Sequence, residues 1–112
     1  MQWNSLTSEE QLAQIKEESK NQPVVIFKHS TTCSISATAK SRLERQWADA
    51  GLEQVKPYYL DLLSYRPVSR QVAEEFNVQH ESPQLLLIKD GVCQYHGSHL
   101  GINLQEVKKQ IA

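Results

Sequence analysis

The sequence is short of everything that small proteins use in place of a core. Of its 112 residues only two are cysteine, four are glycine and four are proline. Two cysteines cannot build a disulfide scaffold, so the fold must stand on packing. Charge of one sign is missing as well: 12 Lys+Arg against 13 Asp+Glu leave a formal charge of -1. That balance argues against a nucleic-acid binder or a polybasic membrane binder, both of which need a cationic excess. No apolar run approaches the roughly 18 residues that span a bilayer. The opening segment from Met1 to Glu10 lacks the basic flank and apolar stretch of a secretory signal. A cytoplasmic location is therefore expected, where cysteines are normally reduced and an exposed one is free to react. There is no internal repeat, linker or low-complexity tract. A hydrophobic fraction of 39% and a charged fraction of 22% are ordinary for a globular chain and too apolar for a disordered one. A single domain over residues 1–112 is expected, since a domain usually takes about 100–200 residues.

What is present falls into alternating apolar blocks and helical stripes. Thr7 and Glu10 have the spacing of a capping box, and Leu12, Ala13 and Ile15 supply the apolar face of a first helix reaching about Ser19. Val24-Val25-Ile26-Phe27 is a continuous β-branched and aromatic run, suited to a strand buried on both faces. Ile35, Ala39, Leu43, Trp47 and Ala50 then recur at helical steps, with Gly51 as the stop. Val55 to Leu60 reads as a strand, and Pro67 opens a helix carried by Val68, Val72 and Phe76. Leu85-Leu86-Leu87-Ile88 is a second doubly buried strand, and Asp90-Gly91 joins it to Val92-Cys93-Gln94-Tyr95 as a hairpin. Asn103 with Glu106 caps a last helix striped by Leu104, Val107 and Ile111. The order α-β-α-β-α-β-β-α calls for a right-handed parallel crossover followed by an antiparallel pair. An α/β fold is expected, with a four-stranded mixed sheet covered by helices on both faces, which is the thioredoxin-like architecture.

The chemistry centres on Cys33. It follows a buried strand and a hydroxyl-rich turn, Ser30-Thr31-Thr32, and immediately precedes a helix. Unpaired N–H groups and the positive end of the helix dipole at such a position favour a thiolate over a thiol. Between Ser19 and Leu43 there is no acidic residue, while Lys20, Lys28, Lys40 and Arg42 all fall in that window. In the run Cys33-Ser34-Ile35-Ser36 a serine stands where a dithiol oxidoreductase carries its resolving cysteine. Ser36 can donate a hydrogen bond to a thiolate but cannot form a disulfide, so monothiol exchange through a mixed disulfide is expected. By itself Pro83 reads as an ordinary trans-proline opening a strand; similarity to the thioredoxin-like architecture implies instead that Ser82-Pro83 is a cis bond facing the cysteine, its backbone offered to an extended substrate. Cys93 reads as a buried structural thiol; a distal resolving role for it would restore dithiol chemistry. Cys93, His96 and His99 lie three apart in sequence, but on a strand that spacing points to opposite faces, and no metal site is expected. His29 reads as a solvated turn residue, with tuning of Cys33 by its protonation state as the alternative, and Trp47 and Phe76 read as core.

Two stretches carry a family resemblance: Phe27-Lys28-His29-Ser30-Thr31-Thr32-Cys33-Ser34-Ile35-Ser36 and His80-Glu81-Ser82-Pro83-Gln84. With them the chain resembles, over essentially its whole length, the monothiol bacilliredoxins (YtxJ-like proteins). Members of that family more often read Cys-Pro-Ile-Ser, and Ser34 replaces the proline here. The resemblance implies a thiol–disulfide oxidoreductase that removes bacillithiol from S-bacillithiolated proteins. Cys33 would be catalytic, with Thr32, Ser34, Ile35, Ser36, Ser82 and Pro83 forming the surrounding site. Bacillithiol would be a co-substrate, with no tightly bound cofactor, and S-bacillithiolated client proteins the partners. Lys28, with the N–H groups around Ser34 and Ile35, is a candidate for binding the carboxylates of that thiol. Two other readings compete. One is an iron–sulfur cluster carrier like the monothiol glutaredoxins, which carry Gly-Phe where Ser34-Ile35 stands. The other is a thioredoxin-like interaction module in which Cys33 is incidental.

Overall fold

The computed structural model describes residues 2–111, with the side chain of Leu100 left aside. Its centre is β2 (Val24–His29), in which every residue is buried. The strand is parallel to β3 (Lys56–Asp61) on one side and antiparallel to β4 (Gln84–Lys89) on the other. A strand placed there is covered on both faces by helices, which is why its sequence is a continuous rather than an alternating apolar run. Side chains still alternate. Val25 and Phe27 join Ala39, Leu43 and Trp47 of the α2 region (Ser34–Gln46) and Leu104 and Val107 of α4 (Leu104–Ile111). Val24 and Ile26 join Leu12 and Ile15 of α1 (Glu10–Glu18) and Val68, Val72 and Phe76 of α3 (Arg66–Phe76). Lys28 and His29, the last two residues of β2, continue that alternation, Lys28 towards the α1/α3 face and His29 towards the α2/α4 face.

The hairpin from β4 to β5 (Val92–Ser98) turns at Asp90 and Gly91, both in the left-handed region at φ 54° and 78°. That is the backbone an Asp-Gly two-residue turn supplies. Asn77 ends α3 in the same region, at φ 53°. Asn103 Oδ1 accepts the Gln105 N–H at 2.9 Å, the capping bond expected at the start of α4.

Two expectations are corrected. The sheet has five strands, in the order β1-β3-β2-β4-β5, because Asn4–Ser5 pairs in parallel with β3 as β1. Two polar residues carry no strand periodicity. They are held there by their neighbours: Leu6 is fully buried and donates its N–H to Tyr59, while Trp3 stacks on Phe27 at 5.8 Å and donates from Nε1 to Glu44. The first helix begins without a Thr7–Glu10 capping box. Gln11 reaches back instead, its Oε1 accepting the N–H groups of Thr7 at 2.7 Å and Ser8 at 3.0 Å.

Leu86 is fully buried opposite Ile26 at the middle of the sheet. Leu86→Ala should lower unfolding stability by about 2–5 kcal/mol, read as a fall in the urea midpoint with an unchanged slope; a loss below 1 kcal/mol would show that this layer is not the packed centre.

Candidate active site

The end of β2 sets the position of Cys33. Ser30, Thr31 and Thr32 turn the chain, closed by the Cys33 N–H bonding to the Ser30 carbonyl at 3.1 Å. Cys33 has extended dihedrals (φ -107°, ψ 119°), and its carbonyl accepts the Ala37 N–H at 3.0 Å. It is thus the N-cap residue of α2, with no side chain capping the first turn. Its thiol is free and half-buried. None of the first-turn residues is acidic, so the start of α2 places no carboxylate of its own beside Cys33.

Thr32 and Ser34 are exposed beside the cysteine, and Thr32 Oγ1 lies 3.4 Å from Ser30 Oγ. Ile35, which the helical stripe assigned to the core, is 57% exposed. It helps line a cavity of about 190 Å³ with Ser34, Thr38, Ala39, Arg42 and His99. The Ser82–Pro83 bond is cis. Gln84 pairs with Lys28, so Pro83 stands opposite His29 at the sheet end from which the cysteine loop leaves. The Pro83 carbonyl accepts the His99 N–H at 2.9 Å, tying the proline loop to the turn that lines this cavity.

Ser36 is fully buried, and its hydroxyl faces inward. Ser36 Oγ accepts the Ser30 N–H at 3.0 Å and lies 2.6 Å from His29 Nδ1. These bonds pin both ends of the cysteine loop, so Ser36 acts here as a brace and not as a donor to the sulfur. His29 is correspondingly buried rather than solvated. It lies 6.0 Å from the Phe27 ring and 5.5 Å from that of Tyr59. Burial, then the Lys40 charge, hold its imidazole below the usual histidine range, against Asp61 and Glu44.

Lys28 does not meet the expectation of a carboxylate ligand near Cys33. Strand alternation turns it to the opposite face, where it is fully buried and donates to the Ser69 carbonyl and to His80 Nδ1, each at 3.1 Å. Burial lowers its pKa to about 8. The other cations of its sequence window also disperse: Lys20 pairs with Glu17, Lys40 with Glu44, and Arg42 donates to the Ile102 carbonyl. No basic cluster forms around the sulfur from that window. Cys93 packs against the α1/α3 cluster and donates to the Tyr95 carbonyl at 3.3 Å. Burial raises its pKa, against the backbone bonds with Tyr95 and Leu87. Cys93 pairs with Ile88, and Ile88 with Val24 at the far end of β2. At about 3.3 Å per residue that end is roughly 17 Å from His29, beyond the 7 Å or so that a disulfide tolerates between Cα atoms.

A scan of family models matches residues 4–107 to the monothiol bacilliredoxin BrxC. The chain belongs to the monothiol bacilliredoxin family. A solved thioredoxin-fold protein proposed to be an oxidoreductase is 31% identical, with a TM-score of 0.81, covering 96% of this chain and 92% of that one. Thioredoxin O2 of Arabidopsis thaliana (17% identity, TM-score 0.68, 96% and 89% covered) and thioredoxin of Trypanosoma brucei brucei (16%, 0.71, 98% and 88%) share the fold. This bacilliredoxin is a thiol–disulfide oxidoreductase of thioredoxin-like fold.

A buried lysine with a lowered pKa gives a pH signature. Between the folded value of about 8 and the ordinary value of 10.5 the unfolded chain binds the extra proton, so stability rises with pH across that window. The urea midpoint of the wild type should therefore rise relative to that of Lys28→Met from pH 8 to pH 10; parallel profiles would show that Lys28 is solvated.

Proposed function

We propose that the protein removes bacillithiol from S-bacillithiolated cytoplasmic proteins by monothiol exchange at Cys33. The Cys33 thiolate attacks the bacillithiol sulfur of the client's mixed disulfide. A Cys33–bacillithiol disulfide forms as the client's sulfur–sulfur bond breaks, and the client leaves as a thiolate that takes a proton from water. Free bacillithiol, also as its thiolate, then attacks the bacillithiol sulfur held on Cys33. Bacillithiol disulfide forms and Cys33 departs as a thiolate. Each step exchanges one disulfide for another, so the two electrons needed come from the second bacillithiol.

The observation that carries this reading is a half-exposed free thiol at the start of α2 with a serine one turn on and its only fellow cysteine at the far end of the sheet. The uncapped N–H groups at Ser34 and Ile35 stabilise the charge when Cys33 is the leaving group. The cavity edged by Ser34, Ile35 and His99 gives the incoming disulfide an apolar wall beside the sulfur. The proline loop, Ser82-Pro83, offers the backbone edge along which a client segment lies.

Incubation of the protein with a bacillithiolated client, followed by intact-mass spectrometry, should show release of the client thiol together with one bacillithiol adduct on Cys33. Cys93→Ala should leave the exchange rate within about two-fold of wild type, since Cys93, half-buried rather than buried as expected, lies away from the site and contributes only packing. Client release by Cys33→Ala would end the proposal, and closure of a Cys33–Cys93 disulfide after adduct formation would replace it with dithiol chemistry.

A further inference from the structure

We propose that a second pocket, between the start of α3 and the segment carrying His80, binds a small oxyanion, a carboxylate or a phosphate. It is a cavity of about 160 Å³ lined by Leu62, Arg66, Ser69, Arg70 and His80. Behind it lies Lys28, whose Nζ contacts two of the lining residues, the Ser69 carbonyl and His80 Nδ1, both uncharged acceptors. Among the described residues neither Lys28, Arg66 nor Arg70 has a carboxylate within ion-pair distance.

That arrangement is costly without an anion. A buried ammonium is normally paired, because desolvating it without a counter-charge is unfavourable. Arg66 and Arg70 stand one helical turn apart, where like charges repel, and no acidic residue occupies the first turn of α3 to offset them. Of the neighbouring acids, Glu81 takes the Ser98 hydroxyl, Asp61 takes that of Ser64 through Oδ2 and leaves Oδ1 without a partner, and Glu74, one turn beyond Arg70, forms no ion pair among the described residues.

The donor set also selects the ligand. Two guanidinium groups suit the paired oxygens of a carboxylate or phosphate. Lys28 donates to Nδ1 of His80, which places the imidazole proton on Nε2 and makes that nitrogen a further donor. Ser69 Oγ lies 3.3 Å from the same Nδ1, so its hydroxyl donates to the imidazole and supports this tautomer. The volume admits a phosphate or a short dicarboxylate and falls below the roughly 300 Å³ of pockets that hold drug-sized ligands. Leu62 donates its N–H to the His29 carbonyl, so the pocket shares the Cys33 end of the sheet, but it opens on the Lys28 face. It does not rest on the thiol reaction.

The test is an NMR titration of the reduced full-length protein with inorganic phosphate, with malonate, and with chloride at matched ionic strength. It follows the amides of Ser69, Arg70 and His80 and the His80 ring nitrogens. Saturable shifts confined to this pocket are expected, half-complete below about 10 mM, for phosphate, malonate or both. Saturation by phosphate alone identifies a phosphoryl ligand, and by malonate alone a carboxylate. Arg70→Ala should weaken the response about ten-fold or more, as expected for loss of a charge-assisted pair. Arg66→Ala, a substitution at an exposed position, gives a second variant. Shifts that grow linearly, that chloride reproduces, or that survive in the double variant overturn the proposal.

Discussion

The rest of the structure depends on the complete burial of β2. A strand paired on both edges and covered on both faces leaves its side chains only two directions, and its last residues inherit them. Phe27 and His29 therefore stand beneath the cysteine loop, while Ile26 and Lys28 stand beneath α3. Where the strand ends, the chain has to turn out of the sheet, and Cys33 is the residue at which the turn becomes a helix. The same constraint that builds the core thus puts one sulfur at the mouth of α2 and one ammonium under the opposite face.

The loop between them is held from inside. Ser36 joins the Ser30 amide to the His29 ring, and that ring packs on Phe27 and Tyr59, which in turn carry the Trp3 ring next to β1. Lys40 lies over the Trp3 and Tyr59 rings at 5.9 Å and 5.5 Å and pairs with Glu44. A serine in place of a second thiol therefore has two consequences. It removes the partner for an internal disulfide, and it supplies the hydroxyl that braces the loop around the remaining cysteine.

How far all this can be read from the residues varies with how local the cause is. The two doubly buried strands, the Asp90-Gly91 turn, the Asn103 cap and the helix start at Cys33 follow from short-range patterns, and they stand where those patterns put them. β1 was invisible because two polar residues have no period; tertiary packing of Leu6 and Trp3 places them. The Gln11 cap was masked by the better-known Thr-x-x-Glu spacing. Lys28 and His29 depart from expectation for one reason: the apolar run stops at Phe27, while the strand continues to His29. Carrying the alternation two residues further would have turned Lys28 to the Ile26 face and His29 to the core. Periodicity puts Ile35 on the helical stripe while the resemblance puts it in the site; a helix whose first turn forms the mouth of a cavity exposes an apolar side chain there.

The central claim is that one thiol is open to exchange and the other is out of its reach. Iodoacetamide labelling of the native reduced protein, followed over time by peptide mass spectrometry, measures both at once. The account predicts rapid modification of Cys33 and much slower modification of Cys93, whose half-buried thiol donates to the Tyr95 carbonyl and is held protonated by burial. Labelling of the two at similar native rates, or loss of both thiols together as an internal disulfide on mild oxidation, would contradict it.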